Sequence, residues 1–575
     1  MNLITKFWLT FSLCLSHASL GKAKAAYCLP GDSCFPSTEV LKAFNASIGG
    51  RLLQPQPYGA ACYQATYDGD MCRSLAQNKT VAEWRVEQPA AAQYPNMELD
   101  EHGNGCVIPD MQADGTSPIP VQADCTFGRM PQFLVNASST EQVAKTVQFA
   151  SKHNLRFRVK NTGHCYTGRS LGEGSFSVWT HNMRDIKLHR GFVPLHSNAA
   201  PQDVFSAGPG VTVEELYRAA GANGVAVVGG LSPTVGASGG WILGGGAGPF
   251  ARHFGLGVDN VVQFEAVTSS GEIQIINDTL NPELFWALRG GGGAFAVITR
   301  VYIKAHPAMK AINTVVGSIQ CQDKKSYAAL VDELVELQFV LNQTGHSGAF
   351  STEPSEYLAA VLSFDMYTEG ETVGSESETL GLYDPVQAVK NCTSKLQTLQ
   401  TTGPQSWLDT YDKAVLPLIE ESVPVGHSLA TVSRIVSEDL FHNSASRDEI
   451  KKYISEVPAP LIWQNTVAGV VKDIDPDATA VHPEWRRAFA FIDVSVFGDW
   501  EELSTERLAL INSTSERLNA VFGSAVYYNE QYGTGEEWQH TQFGANYPRL
   551  LDIKHAVDPA QLFQCRNCVG SETGY

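Results

Sequence analysis

The 575-residue chain has no stretch of roughly 18 apolar residues, the length needed to span a bilayer. It has no Lys/Arg-rich run either, and 41 basic against 60 acidic side chains leave a formal charge of −19. Such a surface repels nucleic acid and anionic membranes, so the expected partners are small molecules, and a monomer is expected. No His-Glu-x-x-His occurs, and the lone Cys565-x-x-Cys568 lacks the second pair that a structural zinc site needs, so no metal is expected. The Gly-Lys-Ser/Thr of a Walker A loop is absent, as are internal repeats and low-complexity segments. With 43% hydrophobic residues the chain is globular, and it is too long for one core.

Glycine, by contrast, is concentrated. The twenty residues from Gly229 to Gly248 hold nine glycines, which allow positive φ and close approach of backbone N–H groups to a ligand such as a pyrophosphate. The run is too long for the dinucleotide fingerprint G-x-G-x-x-G, and a packing corner is the plain alternative. A second segment shifts the balance. Ser138-x-x-Glu141 resembles a capping box opening a helix through Val143, Val147 and Ala150. Leu155, Phe157 and Val159 then alternate as a strand that delivers the loop from Asn161 to Ser170, with His164 projecting from the strand end. Thr212-x-x-Glu215 opens another helix, to Ala220, and Val225 to Val228 reads as the strand entering the glycines. Two Gly-containing loops thus leave two strand ends, where α/β units commonly bind ligands.

These residues resemble the FAD-linked oxidoreductases of the vanillyl-alcohol-oxidase type, in the berberine-bridge-enzyme-like branch and its secreted fungal members. VKNTGHCYTGRS is similar to the first flavin loop and PTVGASGGWILGGGAGPFARHFGLGVDNVV to the second. NPELFWALRGGGGAFAVITRVYIKAHP resembles the end of the flavin domain, and FGANYPRLLDIKHAVDPAQLFQC the C-terminal tail. The resemblance implies an α+β fold, a two-part PCMH-type FAD domain beside an antiparallel-sheet substrate domain backed by helices. The expected boundaries are a signal peptide at 1–25, a disulfide-rich cap at 26–125, the FAD domain at 126–310, the substrate domain at 311–525 and a tail at 526–575 that returns to the flavin. The helical pattern at Tyr327 to Leu341 and the β-rich runs at Tyr357 to Met366 and Ala488 to Phe497 belong to the substrate domain.

The cofactor implied is FAD, bonded through His164 to the 8α-methyl. Its expected contacts are Asn161, Thr162, Gly163, Cys165, Gly168 and Ser170 in the first loop. Gly230, Ser232, Thr234, Val235, Gly236, Gly239, Gly240, Gly244, Gly245 and Gly248 follow in the second, with Val258, Val297 and Asn546 beyond it. Ser232 occupies the place of the cysteine that makes a second flavin bond in bicovalent relatives, so a single bond is implied. Cys165 stands where many relatives have aspartate. Its plain reading is a small buried hydrophobe.

Lys6, the apolar run from Phe7 to Leu15 and Ala23-Lys24-Ala25 read as a cleavable signal, which implies secretion. Seven sequons, at Asn45, Asn78, Asn136, Asn277, Asn342, Asn391 and Asn512, fit a glycosylating pathway. Of twelve cysteines, Cys14 leaves with the signal; setting Cys165 aside leaves an even ten for an oxidising compartment. Proximity suggests Cys28 with Cys34, Cys62 with Cys72, Cys106 with Cys125, Cys321 with Cys392, and Cys565 with Cys568.

For catalysis the resemblance implies hydride transfer from substrate to flavin, a base to remove the accompanying proton, and O2 as electron acceptor. Many relatives carry that base as a tyrosine before Phe-Gly-x-Asn, where this chain has Gln542. Tyr528, Glu530 and Tyr532 in YYNEQYGTGEEW are the candidates, with Asp493 and Asp365 behind them. Two substrate classes stay open, a secondary metabolite and a carbohydrate hemiacetal oxidised to a lactone. A flavin-binding protein without redox turnover is the third reading.

Overall fold

The computed structural model describes residues 27–422, 425–498, 505–533, 535 and 537–573. The expected signal segment and Cys14 lie outside these residues. The fold is α+β, built on three principal sheets.

The first sheet has the order Leu52–Leu53, Phe133–Asn136, Phe176–Trp179, Phe157–Lys160. Its last three strands are parallel, and the helix Thr140–Lys152 makes one of the crossovers. That helix starts one residue later than its sequence suggests. The Ser139 hydroxyl, not that of Ser138, accepts from the Gln142 N–H, while the Ser138 N–H and hydroxyl donate to the Gln142 side chain. The short strand Leu52–Leu53 comes from the N-terminal region and pairs antiparallel with Phe133–Asn136, so the expected cap is stitched into the sheet.

The second sheet is antiparallel, in the order Ile186–Phe192, Gln202–Ala207, Val297–Lys304, Val261–Val267, Ile273–Ile276. The helix Val213–Ala222 packs near it, opened by the Thr212/Glu215 capping box as its sequence indicates. The strand expected at Val225 to Val228 is only Val225–Ala226, paired with His306–Pro307. Pro307 has no N–H to extend that ladder. Val227 and Val228 instead run fully buried into the glycine segment.

The third sheet has eight antiparallel strands. Its path runs Cys392–Ser394, Ala311–Cys321, Leu358–Tyr367, Ser347–Glu353, Leu461–Gln464, Ala488–Gly498, Ser428–Ser437, and Gln397–Thr402 also pairs with Ala311–Cys321. Side chains alternate across a strand. In Ala488–Gly498, Ala490, Ile492, Val494 and Val496 enter an apolar core with Leu330 and Leu334 of the helix Lys324–Gln343 and with Ile450 and Ile454 of the helix Ser444–Glu456. Phe491, Asp493, Ser495 and Phe497 face the other way.

All five expected disulfides are present, Cys28–Cys34, Cys62–Cys72, Cys106–Cys125, Cys321–Cys392 and Cys565–Cys568, and Cys165 is free. Bridges of this kind typically contribute about 2–4 kcal/mol each. Among the described residues a single thiol, Cys165, should therefore titrate in denatured, unreduced protein, and reduction should depress the melting temperature. Several free thiols would contradict the pairing.

One sequon is closed by the fold. Asn277 is fully buried, and its amide donates to Leu195 O at 2.9 Å and Gln263 Oε1 at 3.1 Å. Asn391 and Asn512 are exposed. Peptide mass spectrometry of protein expressed through a glycosylating pathway should find Asn277 unmodified, any glycans being confined to the accessible sequons.

Candidate active site

The strand Phe157–Lys160 ends at the first loop. Asn161 Nδ2 donates to Pro209 O at 2.5 Å, and a Cβ at either Gly236 or Gly239 would collide with that amide, so glycine is what lets the second loop close on the first. The N-terminal region supports the first loop from outside. The Gln93 N–H donates to Gly163 O at 3.0 Å, and Lys160 Nζ donates to Gln88 O at 3.1 Å.

His164 faces Thr234 of the second loop, with 2.8 Å between Nε2 and Oγ1. Burial, with the nearby Lys160 charge adding to it, pushes the imidazole down to about 3. It is a neutral ring at any working pH. Lys160 is itself pushed down to about 7 by burial.

Both loops open into a cavity of about 740 Å³, of the size that holds cofactors and drug-sized ligands. Its far wall is the eight-stranded sheet, contributing Leu429, Thr431, Ile462, Gln464 and the alternating Phe491, Asp493, Ser495 and Phe497. Tyr94 of the N-terminal region closes one side. Its ring stacks on Tyr166 of the first loop at 5.0 Å, and the two hydroxyls lie 3.3 Å apart.

Residues 527 to 532 carry the remaining wall, and their path is set by contacts on both sides. Tyr527 N–H donates to Ser433 Oγ at 3.0 Å, and Gln531 Oε1 accepts from the Ser433 N–H at 3.1 Å. Asn529 Nδ2 donates to Trp241 O at 2.8 Å, and a Cβ at Gly244 would collide with the Asn529 and Tyr528 side chains. Ser433 is the cross-strand partner of Asp493. The segment therefore brings Glu530 and Asp493 into the same cavity wall, where the Glu530 charge acts on Asp493.

Asp493 Oδ2 accepts from Gln464 Nε2 at 2.9 Å, while Oδ1 meets no donor among the described residues. Burial first, and then the Glu530 charge, raise Asp493 well above the carboxylate range. Glu530 is pushed up to about 7, chiefly by burial. Tyr94 is raised to about 12 by burial, and Tyr166 is raised too.

Of the residues expected from sequence, Asn161, Thr162, Gly163, His164, Cys165, Ser170, Gly230, Ser232, Val235, Gly236, Gly239, Gly240, Gly248 and Val297 line the cavity, as do Tyr528 and Glu530. Others stand behind the lining. Thr234 holds His164, Gly244 and Gly245 support the segment around Tyr527 and Tyr528, and Gly168 turns the first loop at φ +69°. Val258 packs in a core with Ala247 and Tyr527, and Asn546 donates to Val481 O at 2.8 Å. The Tyr528 hydroxyl lies 3.8 Å from Cys568 Sγ, and its ring is covered by Arg169 at 3.9 Å. Tyr532 packs among apolar side chains outside the lining. Asp365 is also outside it, accepting a short hydrogen bond from Tyr367 and lying 3.8 Å from His346 Nε2.

Cys165 differs from its expected character. It is only half-buried and lines the cavity. Burial would raise the thiol, but Arg169 and hydrogen bonds from Thr167 and the Arg169 N–H outweigh it and bring it below its ordinary range. Tyr94, Tyr166, Trp241 and Gln464 carried no sequence signal as site residues. Asp493 carried one, an acid on a strand face otherwise bearing Phe491 and Phe497.

Two facing glycine loops beneath an antiparallel sheet define a flavoprotein of the vanillyl-alcohol-oxidase type. Residues 131–277 match the family described as FAD binding domain, and residues 526–570 match Berberine and berberine like. An uncharacterized FAD-linked oxidoreductase of Arthroderma benhamiae is 32% identical over 98% of both chains. The chain belongs to this family and is an FAD-linked oxidoreductase. The VAO-type flavoprotein MtVAO615 of Myceliophthora thermophila superposes with a TM-score of 0.81 at 26% identity, over 95% of this chain and 97% of that one. A glucooligosaccharide oxidase of Acremonium strictum, with a 6-S-cysteinyl, 8α-N1-histidyl FAD, shares the fold at 18% identity, with a TM-score of 0.61 over 76% of this chain and 91% of that one.

Proposed function

We propose that the chain is a secreted oxidase that takes a hydride from a small organic substrate and returns the electrons to O2 as peroxide, with FAD bonded singly to His164. The observation carrying this reading is one cavity that joins the His164 loops to the Glu530–Asp493 pair. The expected division into cap, FAD domain, substrate domain and returning tail fits the way these elements converge on it.

The loop residues fit a flavin. A Cβ at Gly240 or Gly293 would meet no protein atom within 4 Å, so both glycines leave space at the cavity wall. Asn161 Oδ1 is buried without a donor, which suits a ligand N–H or hydroxyl. Thr234 engages His164 Nε2, and the neutral ring keeps a lone pair for the covalent bond at its other nitrogen. The same histidyl nitrogen is named for the glucooligosaccharide oxidase. Ser232, in place of a cysteine, supports one bond rather than two. When bound, the flavin supplies the two-electron acceptor.

Glu530 is the base in this reading. With burial holding its pKa near the working pH it accepts a proton from a substrate hydroxyl or amine, beside Asp493, which Gln464 holds. The apolar and aromatic sheet face suits a secondary metabolite. Anaerobic addition of an organic donor should bleach the flavin, and air should restore the colour with peroxide formed. If no donor in a panel of sugars and of aromatic or terpenoid alcohols and amines bleaches it, the oxidase reading fails.

A further inference from the structure

The eight-stranded sheet turns two rows of side chains toward the cavity. In the first row Asp493 lies opposite Ile462, Ile462 opposite Ser351, and Ser351 opposite Ala360, across four neighbouring strands. In the second, Phe491 lies opposite Gln464, Gln464 opposite Ala349, and Ala349 opposite Leu362. Every one of these residues lines the cavity. Neighbouring strands are about 4.8 Å apart, so the first row extends about 14 Å from Asp493 to Ala360.

The face is not level along these rows. Ala349, Ser351 and Ala360 are small where the adjoining positions carry Ile462, Gln464 and Leu362, so the strands Ser347–Glu353 and Leu358–Tyr367 leave a trough in the cavity wall. Phe350 and Ala359, pointing the other way, pack in the core with Leu330 and Leu334. The strands are thus held from behind, and the trough does not close by collapse.

Leu231, Leu418 and Ile419 line the same cavity and pack against the apolar cluster that holds Leu362. Two buried hydroxyls fix their support. Tyr217 donates to Gly230 O and Tyr411 to Leu231 O, each at 2.9 Å. Tyr411 opens a π-helical turn, Tyr411–Val415, that runs directly into the helix Leu416–Ser422, and such turns are frequent at functional sites. The trough also reaches the surface. Glu353 and Leu358, which flank the hairpin turn between its two strands, line the cavity, and the turn residues Ser355 and Glu356 are exposed.

We propose that this trough binds an aliphatic chain carried by the substrate, with the reacting end of the molecule at Glu530 and Asp493 and the chain lying over Ser351 and Ala360 beside Leu418 and Ile419. The inference rests on the reading of this cavity as the substrate site of an oxidase, and it narrows the substrate to one with a polar reacting group at one end and an apolar extension at the other. The trough is continuous with the acid pair through the row Asp493, Ile462, Ser351, Ala360. A saccharide chain is the wrong occupant. Along that row and its apolar flank Ser351 alone carries a hydroxyl, so most sugar hydroxyls would be buried without partners.

The test is calorimetric titration of the wild-type holoenzyme with 4-alkoxybenzyl alcohols from methoxy to hexyloxy, followed by anaerobic mixing of each with the enzyme. Affinity should rise about three- to fourfold per methylene as the chain enters the trough, the gain expected from burying a methylene. 4-(2-Methoxyethoxy)benzyl alcohol matches the butoxy compound with one methylene replaced by oxygen, and it should bind about tenfold more weakly. Ala360→Phe, which fills the trough, should flatten the series. Ile419→Ala, which trims its flank, should lower the slope and carries the test if the phenylalanine variant does not fold. Flavin content and melting temperature report the folding of both.

A flat series in wild type, equal affinity for the butoxy and methoxyethoxy compounds, or a slope unchanged in the folded variants would overturn the proposal. Chain-dependent binding without bleaching would leave the trough standing and count against the oxidase reading. Bleaching with rate and affinity indifferent to chain length would do the reverse.

Discussion

Replacing Glu530 with glutamine should slow flavin reduction by about 10²–10⁴-fold while leaving the flavin attached, because it removes the proton acceptor and little else. Glutamine keeps the length and planar end of the side chain, so the backbone contacts of residues 527 to 532 with Ser433 and Trp241 should persist. The pH profile separates loss of a base from a structural defect. With Glu530 pushed up to about 7, the wild-type reductive rate should rise with pH through that region and level off above it, whereas the variant should be flat. A variant that keeps both the wild-type rate and its pH dependence would remove Glu530 from the mechanism. Tyr532→Phe is the useful comparison, since its ring packs outside the cavity lining and its loss of one hydroxyl should leave the rate within about twofold.

The same carboxyl should leave a mark on stability. Its folded-state value is raised above the ordinary 4.5, so the folded protein binds that proton more tightly than the unfolded chain does. The stabilisation is fully present below about pH 4.5 and is lost as pH rises through about 7. Wild-type protein should therefore lose melting temperature over this interval relative to Glu530→Gln. Such a cost is expected where a site holds like charges together for function.

His164→Ala should abolish the covalent link. Acid-precipitated wild type should keep its yellow chromophore in the pellet, and the variant should release it to the supernatant or purify without it. The fold should survive, because alanine removes a ring that, among the described residues, hydrogen-bonds to Thr234. Release of all flavin from denatured wild type would refute single covalent attachment. A thioether-type flavin spectrum in wild type would shift the linkage to Cys165, which lines the cavity with a thiol lowered by Arg169 and its hydrogen bonds.

Local signals carried much of the flavin side. The loop at Asn161 to Ser170, the glycines from Gly229 to Gly248 and the Thr212/Glu215 capping box are short-range patterns, and each appears where its residues place it. The cysteine pairs were legible for a related reason. Four of the five close sequence separations of 3 to 19 residues, where few alternatives compete, and Cys321–Cys392 spans 71 by bringing the two cysteines into direct register across neighbouring strands.

Long-range geometry decided the rest. The sequence by itself marked two glycine-bearing loops at strand ends, an even set of cysteines whose proximity suggested pairs, and helical and β-rich runs beyond them, because such patterns are local; the flavin and the helix-backed sheet came from the family resemblance. Only the tertiary structure could separate Glu530 from Tyr528 and Tyr532 as a partner for Asp493, since these acids lie 37 positions apart and meet through the contacts of residues 527 to 532 with Ser433. Tyr94 reaches the cavity in the same way, by the packing of the N-terminal region against the first loop and the sheet. Burial then raised both carboxyls, and burial is a property of the assembled fold that no local pattern encodes.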